Sequence, residues 1–159
     1  MQILTWVHLA ERRLSVEQLL HALATEEGDT DLCRDNFVSQ ESFLGKCLGL
    51  VVIDKQSSTV CLLHKSLQDY LGTQDDFFED RHATIAQTCL TYLRFQSVII
   101  TSKDMANKAE DPGDALHDLA LVKYAAREWG HHLRESRQAE EDLVKLARRY
   151  LYIGPQERY

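Results

Sequence analysis

Apolar residues recur along the chain in short blocks, spaced for helices in most places and for strands in one. Ile3 to Ala10 carries Ile3, Leu4, Trp6, Val7 and Leu9, apolar on most sides, which predicts a short helix packed against others. Leu14-Ser15-Val16-Glu17-Gln18-Leu19 reads as a helix start. Ser15 is placed to accept from the amide of Gln18, and Gln18 to reach back: a capping box, with Leu14 and Leu19 at the staple positions. This second helix runs to about Ala24 with Val16, Leu19, Leu20 and Leu23 on one face. The acidic, polar stretch Glu26 to Asn36 reads as a loop. A third helix follows from Gln40 to Leu48. Ser39 is its N-cap, Val38 and Phe43 its staple, and Phe43, Leu44, Cys47 and Leu48 its buried stripe, with Gly49 at C′.

The period then changes. Leu50 to Ile53 and Thr59 to Leu63 are β-favouring runs joined by the polar turn Asp54 to Ser58, a β-hairpin pattern. Beyond His64, Leu67, Tyr70 and Leu71 return to helical spacing, so His64 stands where a strand hands over to a helix. A helix start there exposes backbone N–H groups that favour anions. Three helices, a two-stranded wing and a helix after it give a winged-helix order for residues 1–73.

Gly72 to Glu79 reads as a linker, and Asp80 as the cap of a helix from Arg81 to Phe95 whose inner face holds Ile85, Cys89, Tyr92 and Leu93 beside Ala86 and Leu90. Gln96 to Ile100 fits either a strand or a helix extension, and Thr101 to Asp114, with Pro112 and Gly113, a loop. A long helix is expected from Ala115 to Glu135, with Leu119, Val122, Ala126, Trp129 and Leu133 on one side and Gly130 as its weak point. A short helix from Glu140 to Leu151 ends the pattern, and Ile153 to Tyr159 frays past Pro155. The expected fold class is mainly α: a winged-helix domain (three helices plus a β-hairpin) over 1–73, then a small helical bundle over 80–153 that leads toward a repeat array.

Composition narrows the function more than the fold. At 159 residues, 44% hydrophobic and 27% charged, the chain suits one folded domain or a small domain with a helical extension. A net charge of -7 disfavours nonspecific binding to nucleic acid or to an anionic membrane. No apolar run is long enough to span a bilayer, and His8, Glu11, Arg12 and Arg13 break any signal-peptide pattern. Cys33, Cys47, Cys61 and Cys89 never form C-x-x-C, so reduced thiols in a cytoplasmic protein are expected rather than a disulfide or zinc site.

The segments ILTWVHLAERRLSVEQLLHALA, LGLVVIDKQSSTVCLLHKSLQDYL, HATIAQTCLTYLRF and YAAREWGHHL, taken in that order, resemble a region of fungal STAND-type signalling proteins. In those proteins it follows a NACHT nucleotide-binding domain and precedes ankyrin repeats, and it goes under the name of a GPI inositol-deacylase winged helix. The resemblance spans residues 2–135; Arg13 stands where the family usually has proline. It implies a lid over the nucleotide site, with His64 matching the wing histidine that touches the β-phosphate of ADP. Lys65 stands where the plant version of that motif has Asp. The resemblance also implies ADP or ATP as cofactor of a parent protein, and the NACHT domain and ankyrin repeats as partners in signal transduction. The chain would then be a fragment or a shortened gene product.

Independent chemistry is not expected. Gly45-Lys46 is followed by Cys47 and lacks the first glycine of a P-loop, and no G-x-S-x-G occurs. His131 and His132 with His117 and Glu128 invite a metal reading, but adjacent helical residues point about 100° apart. H-E-x-x-H is absent, so no metal is expected. Trp129 reads as core rather than a stacking platform, and Arg134 to Asp142 as a solvated helix end. Lys46 opposite Glu41, and Asp54 beside Lys55, do not make the basic face that DNA binding needs. The resulting reading is a non-catalytic regulatory and interaction module with no catalytic residue; the alternative is a free-standing protein-binding scaffold.

Overall fold

The chain folds, in a computed structural model, into eight α-helices, one short 3₁₀ turn and one two-stranded antiparallel sheet among the described residues, which are 2–74, 78, 80–107, 118–136 and 141–156. Helix α1 is Gln2–Leu9, α2 Val16–Ala24 and α3 Gln40–Lys46, with the 3₁₀ turn at Arg34–Asn36. Strands β1 (Val51–Asp54) and β2 (Thr59–Leu62) follow, then α4 (Lys65–Gly72), α5 (Arg81–Leu93), α6 (Gln96–Asn107), α7 (Val122–Glu135) and α8 (Glu141–Gln156). Three helices, a wing and a further helix make the N-terminal part a winged helix, as the periodicity predicts.

Local chemistry explains its boundaries. The capping box of α2 is formed in full: Gln18 N donates to Ser15 Oγ at 3.1 Å, and Ser15 N to Gln18 Oε1 at 3.0 Å. Leu14 and Leu19 are both buried at that end. Ser39 accepts from Ser42 N and starts α3 over buried Phe43. The wing pairs Val51 with Leu62 and Ile53 with Val60, so Val51 and Val60 point into the core. Asp54 belongs to β1 as well as to the turn, where its carboxylate accepts from Gln56 N and Ser57 Oγ. β2 also pairs outward: Val60 N donates to Leu14 O at 2.9 Å, which stitches the wing to the entry of α2.

Leu48 departs from expectation. The helix ends at Lys46, and the C′ position after the cap falls to Leu48 at φ 50°, with Gly49 following at φ 77°. That turn carries the Leu48 side chain out of the buried stripe to 87% exposure. An L-residue there is strained by roughly 1–2 kcal/mol, and Leu48 loses no packing on truncation. Leu48→Gly should therefore raise stability by about 0.5–1 kcal/mol, since glycine relieves the strain at some cost in chain entropy; urea midpoints at constant m-value check this.

The second half fills the same core. Ile85, Ala86, Cys89, Leu90, Tyr92 and Leu93 of α5 are all buried, and α5 packs most extensively on α7. One apolar cluster runs from Trp6, Leu19, Phe43 and Val60 through Ile85 and Tyr92 to Leu121 and Tyr124, so it crosses residue 73 without a break. A smaller cluster joins Ala86 and Leu90 of α5 to Leu143 and Ala147 of α8.

Other expectations do not hold. Asp80 precedes α5 but sits at φ 60° and its side chain makes no capping bond, and the helix ends at Leu93, not Phe95. Gly72 closes α4 rather than opening a linker, and Phe78 is buried. Residues 96–107 form one helix, so the helical reading of Gln96 to Ile100 holds and the loop expected from Thr101 does not begin there; its first turn is held from afar: Asp31 Oδ1 accepts from Ser97 Oγ at 2.6 Å and Oδ2 from Ser97 N at 3.3 Å. The rest of the loop expected to end at Asp114 lies outside the described residues. Helix α7 starts at Val122 rather than Ala115, after a turn at 118–121; residues 115–117 lie outside the described ones. Its buried seam is also rotated by a residue, to Leu121, Tyr124, Ala125 and His132, leaving Ala126 exposed. Finally α8 continues through Pro155 to Gln156, with only one helical residue after the proline.

Candidate functional site

The end of α1 and the segment leading to α2 form one wall of an open groove of about 450 Å³; β2 and the start of α4 form the other. Trp6, Leu14 and Val60 give it a buried apolar base. Its rim is polar and mostly basic: Glu11, Arg12, Arg13, His64 and Lys65.

His64 is on that rim because strand pairing ends at Leu62 and α4 begins at Lys65. It occupies the N-cap position in extended conformation (φ -132°, ψ 143°), and its carbonyl accepts from Leu67 N at 3.1 Å. The imidazole makes no capping bond, is exposed, and has no hydrogen-bond partner among the described residues. The ring thus stands uncommitted at the N-terminus of α4, where a helix start favours negative charge. Leu63, next to it, is half exposed and its N–H bonds to the Leu50 carbonyl at 2.9 Å, so exposed Leu48, Leu50 and Leu63 lie on adjoining segments beside His64.

The other wall is committed to the fold. Arg12 Nη2 donates to the Lys123 carbonyl at 3.3 Å, Arg12 Nε lies 3.8 Å from Glu128, and the guanidinium sits 5.5 Å above the Tyr124 ring. His8 lies against Phe78 with ring centroids 4.7 Å apart; its buried Nδ1 has no hydrogen-bond partner, and burial lowers its pKa.

The histidines read from sequence separate. His131 and His132 stand 82° apart in ring plane and take different partners: His131 Nε2 lies 2.8 Å from Glu11 Oε1, and His132 bonds to His82 and Tyr124. Glu128 pairs with Arg12 instead, and His117 lies outside the described residues. Among the described residues no group of three His, Cys, Asp or Glu is arranged to hold a metal ion. Lys46 is exposed at the end of α3, and Trp129 is half-buried edge-on to Tyr150 at 5.7 Å. The four cysteines are free thiols, Cys47 and Cys89 buried, with burial raising both pKa values. Among the described residues no helix is long and apolar enough to cross a membrane.

His8, Glu11, Arg12, His82 and Tyr124 escaped the sequence reading as a group. The available signal was Tyr124 and His132 at i and i+8 on one helical face, a polar pair sharing the inward side.

The model of the winged-helix domain of GPI inositol-deacylase matches residues 1–88, and so includes the groove, the wing and the first turns of α5. No curated protein and no solved structure matches the chain. With more than half its length under that match, the chain belongs to the GPI inositol-deacylase winged-helix domain family.

Proposed function

We propose that this chain is a non-catalytic regulatory module of a NACHT-type signalling NTPase of the STAND class, packing on the nucleotide-binding domain and passing its state toward ankyrin repeats. The observation that carries the reading is His64: an uncommitted imidazole where the wing hands over to α4, exposed at a helix start and next to Lys65. An imidazole N–H donates to a phosphate oxygen, more strongly when charged, and the α4 amides and Lys65 favour the same anion. The half-exposed Leu50 and Leu63 and the fully turned-out Leu48 supply apolar surface beside it for a neighbouring domain. A single phosphate contact of about 1.5–3 kcal/mol biases a two-state switch roughly ten- to a hundredfold.

Nucleotide titration of this chain, alone and joined to its NACHT domain, tests the reading. ADP should stabilise only the joined form, and His64→Ala should weaken that effect by about ten- to a hundredfold. Equal ADP stabilisation with and without the imidazole removes the phosphate contact. A chain that ignores a NACHT domain but binds another protein through its exposed faces is the scaffold of the alternative reading. Turnover by the isolated chain would make it an enzyme after all.

A further inference from the structure

Four of the seven histidines, His8, His82, His131 and His132, meet where α1, α5 and α7 converge. His132 is the centre, with 0% exposure. Its Nδ1 lies 2.8 Å from His82 Nδ1, and its Nε2 2.8 Å from Tyr124 Oη. His131 reaches Glu11, and Arg12 reaches Glu128 and the Tyr124 ring. The set ties the segment after α1 to α7, and α7 to α5.

A neutral imidazole has one donor and one acceptor nitrogen. Two arrangements satisfy the chain of bonds. Either Tyr124 donates to His132 Nε2 and His132 Nδ1–H donates to His82, or His82 Nδ1–H donates to His132 and His132 Nε2–H donates to Tyr124. In both, His132 is neutral. A proton added to His132 keeps the bonds but places a cation in the core. Of the charged and titratable groups around the cluster, Glu11 is held by His131, Glu128 by Arg12, Glu135 acts on His82, and Tyr124 and its neighbour Cys89 are neutral where burial raises their pKa. No carboxylate pairs with His132 among the described residues. A proton on His82 as well turns two N–H groups toward each other.

We propose that this cluster is a proton-operated clasp: neutral, it holds α7 against α1 and α5, and when acidification protonates it, α7 is released from the winged-helix core. The clasp uses contacts within this chain alone and does not depend on the phosphate role of His64. Burial holds the His132 pKa at about 3, with His82 and His131 adding to it, and lowers that of His82. A released His132 titrates near 6.5, so the open form takes up the proton first. The closed form is fully favoured above that value and loses about tenfold per pH unit as pH falls from there toward 3.

Amide hydrogen exchange on the full chain, corrected for intrinsic rates, reads this at about pH 7.5 and about pH 5. Protection across Val122–Glu135 should fall about twentyfold or more. His132→Gln keeps a donor and an acceptor without a titrating ring, and should reduce that change to under about threefold. It should leave α2 as in the wild type, where His21 bonded to Tyr92 provides a separate acid-sensitive contact. Wild-type α7 protection that is the same at both pH values, or a His132→Gln profile that matches the wild type, overturns the proposal. Should His132→Gln not fold, imidazole NMR of the wild type decides. A His132 ring that stays neutral for as long as α7 stays protected supports the clasp. A ring that titrates near pH 6.5 with α7 still protected ends it.

Discussion

Tyr124→Ala is expected to lower the unfolding free energy by about 3–5 kcal/mol, a large part of the roughly 5–15 kcal/mol that holds a domain folded. The ring is fully buried and serves three elements at once. It meets Trp6 of α1 edge-on at 5.9 Å, carries the Arg12 guanidinium on its face, and bonds through its hydroxyl to His132. Truncation leaves a ring-sized cavity, removes the cation's partner and orphans a buried nitrogen. Tyr124→Phe separates these effects, because it keeps the ring and loses only the hydroxyl; about 1–3 kcal/mol should go with it. Urea unfolding followed by circular dichroism measures both. An alanine variant within 1 kcal/mol of the wild type would place the ring outside the core, contrary to the packing described here.

The junction was the least legible part of the chain, and the reason is physical. Periodicity finds faces made of apolar atoms. It found the α5 stripe at every position, and the capping rules found both Ser15 and Ser39 because a cap is a local bond between near neighbours. On α7 it favours Val122, Ala126 and Trp129, because Tyr124 and His132 carry polar atoms and do not stand out in an apolar stripe. They are buried because each satisfies the other, and no local rule records a bond between residues eight apart with a third partner fifty residues away. The start of α6 is ambiguous in the sequence, strand or helix, for the same reason: it is held by Asp31, sixty-six positions earlier. Leu48 was missed differently, since a leucine in left-handed conformation contradicts its own propensity. His64 was legible because a strand meeting a helix leaves its mark in a change of period at one residue.

The groove and the histidine junction share a wall. Glu11 and Arg12 line the groove beside His64, and the same two side chains grip His131 and Glu128 of α7. Anything that pulls this segment toward an occupant of the groove strains its hold on α7, and loss of α7 frees a carboxylate and a guanidinium at the groove. If a neighbour seated on the wing moved this stretch, its binding and the position of α7 would bias each other by the same free energy.

Acid should lower stability steeply between about pH 6.5 and pH 4.5. His132, fully buried and held at about 3, binds its proton in the unfolded chain well before it does so in the folded one. Its contribution is complete above 6.5 and falls by about 1.4 kcal/mol per pH unit below, so about 2.7 kcal/mol is lost by pH 4.5. His8, His21 and His82 are lowered by burial too and act with the same sign from the same starting pH. The carboxylates do not cancel this. Burial tends to raise the Asp31 pKa, but bonds from Ser97 and the Leu32 amide outweigh it; the Gln56 amide and Ser57 lower that of Asp54. Stability from lowered carboxylates is present above about 3.8 and goes only as pH falls below it. Denaturant midpoints at half-unit pH steps should therefore slope throughout the histidine window, and His132→Gln should remove close to one proton's worth of that slope. A flat profile from pH 7 to 4.5 would mean that these rings bind protons equally in folded and unfolded chains. The junction would then have no neutral state to protect.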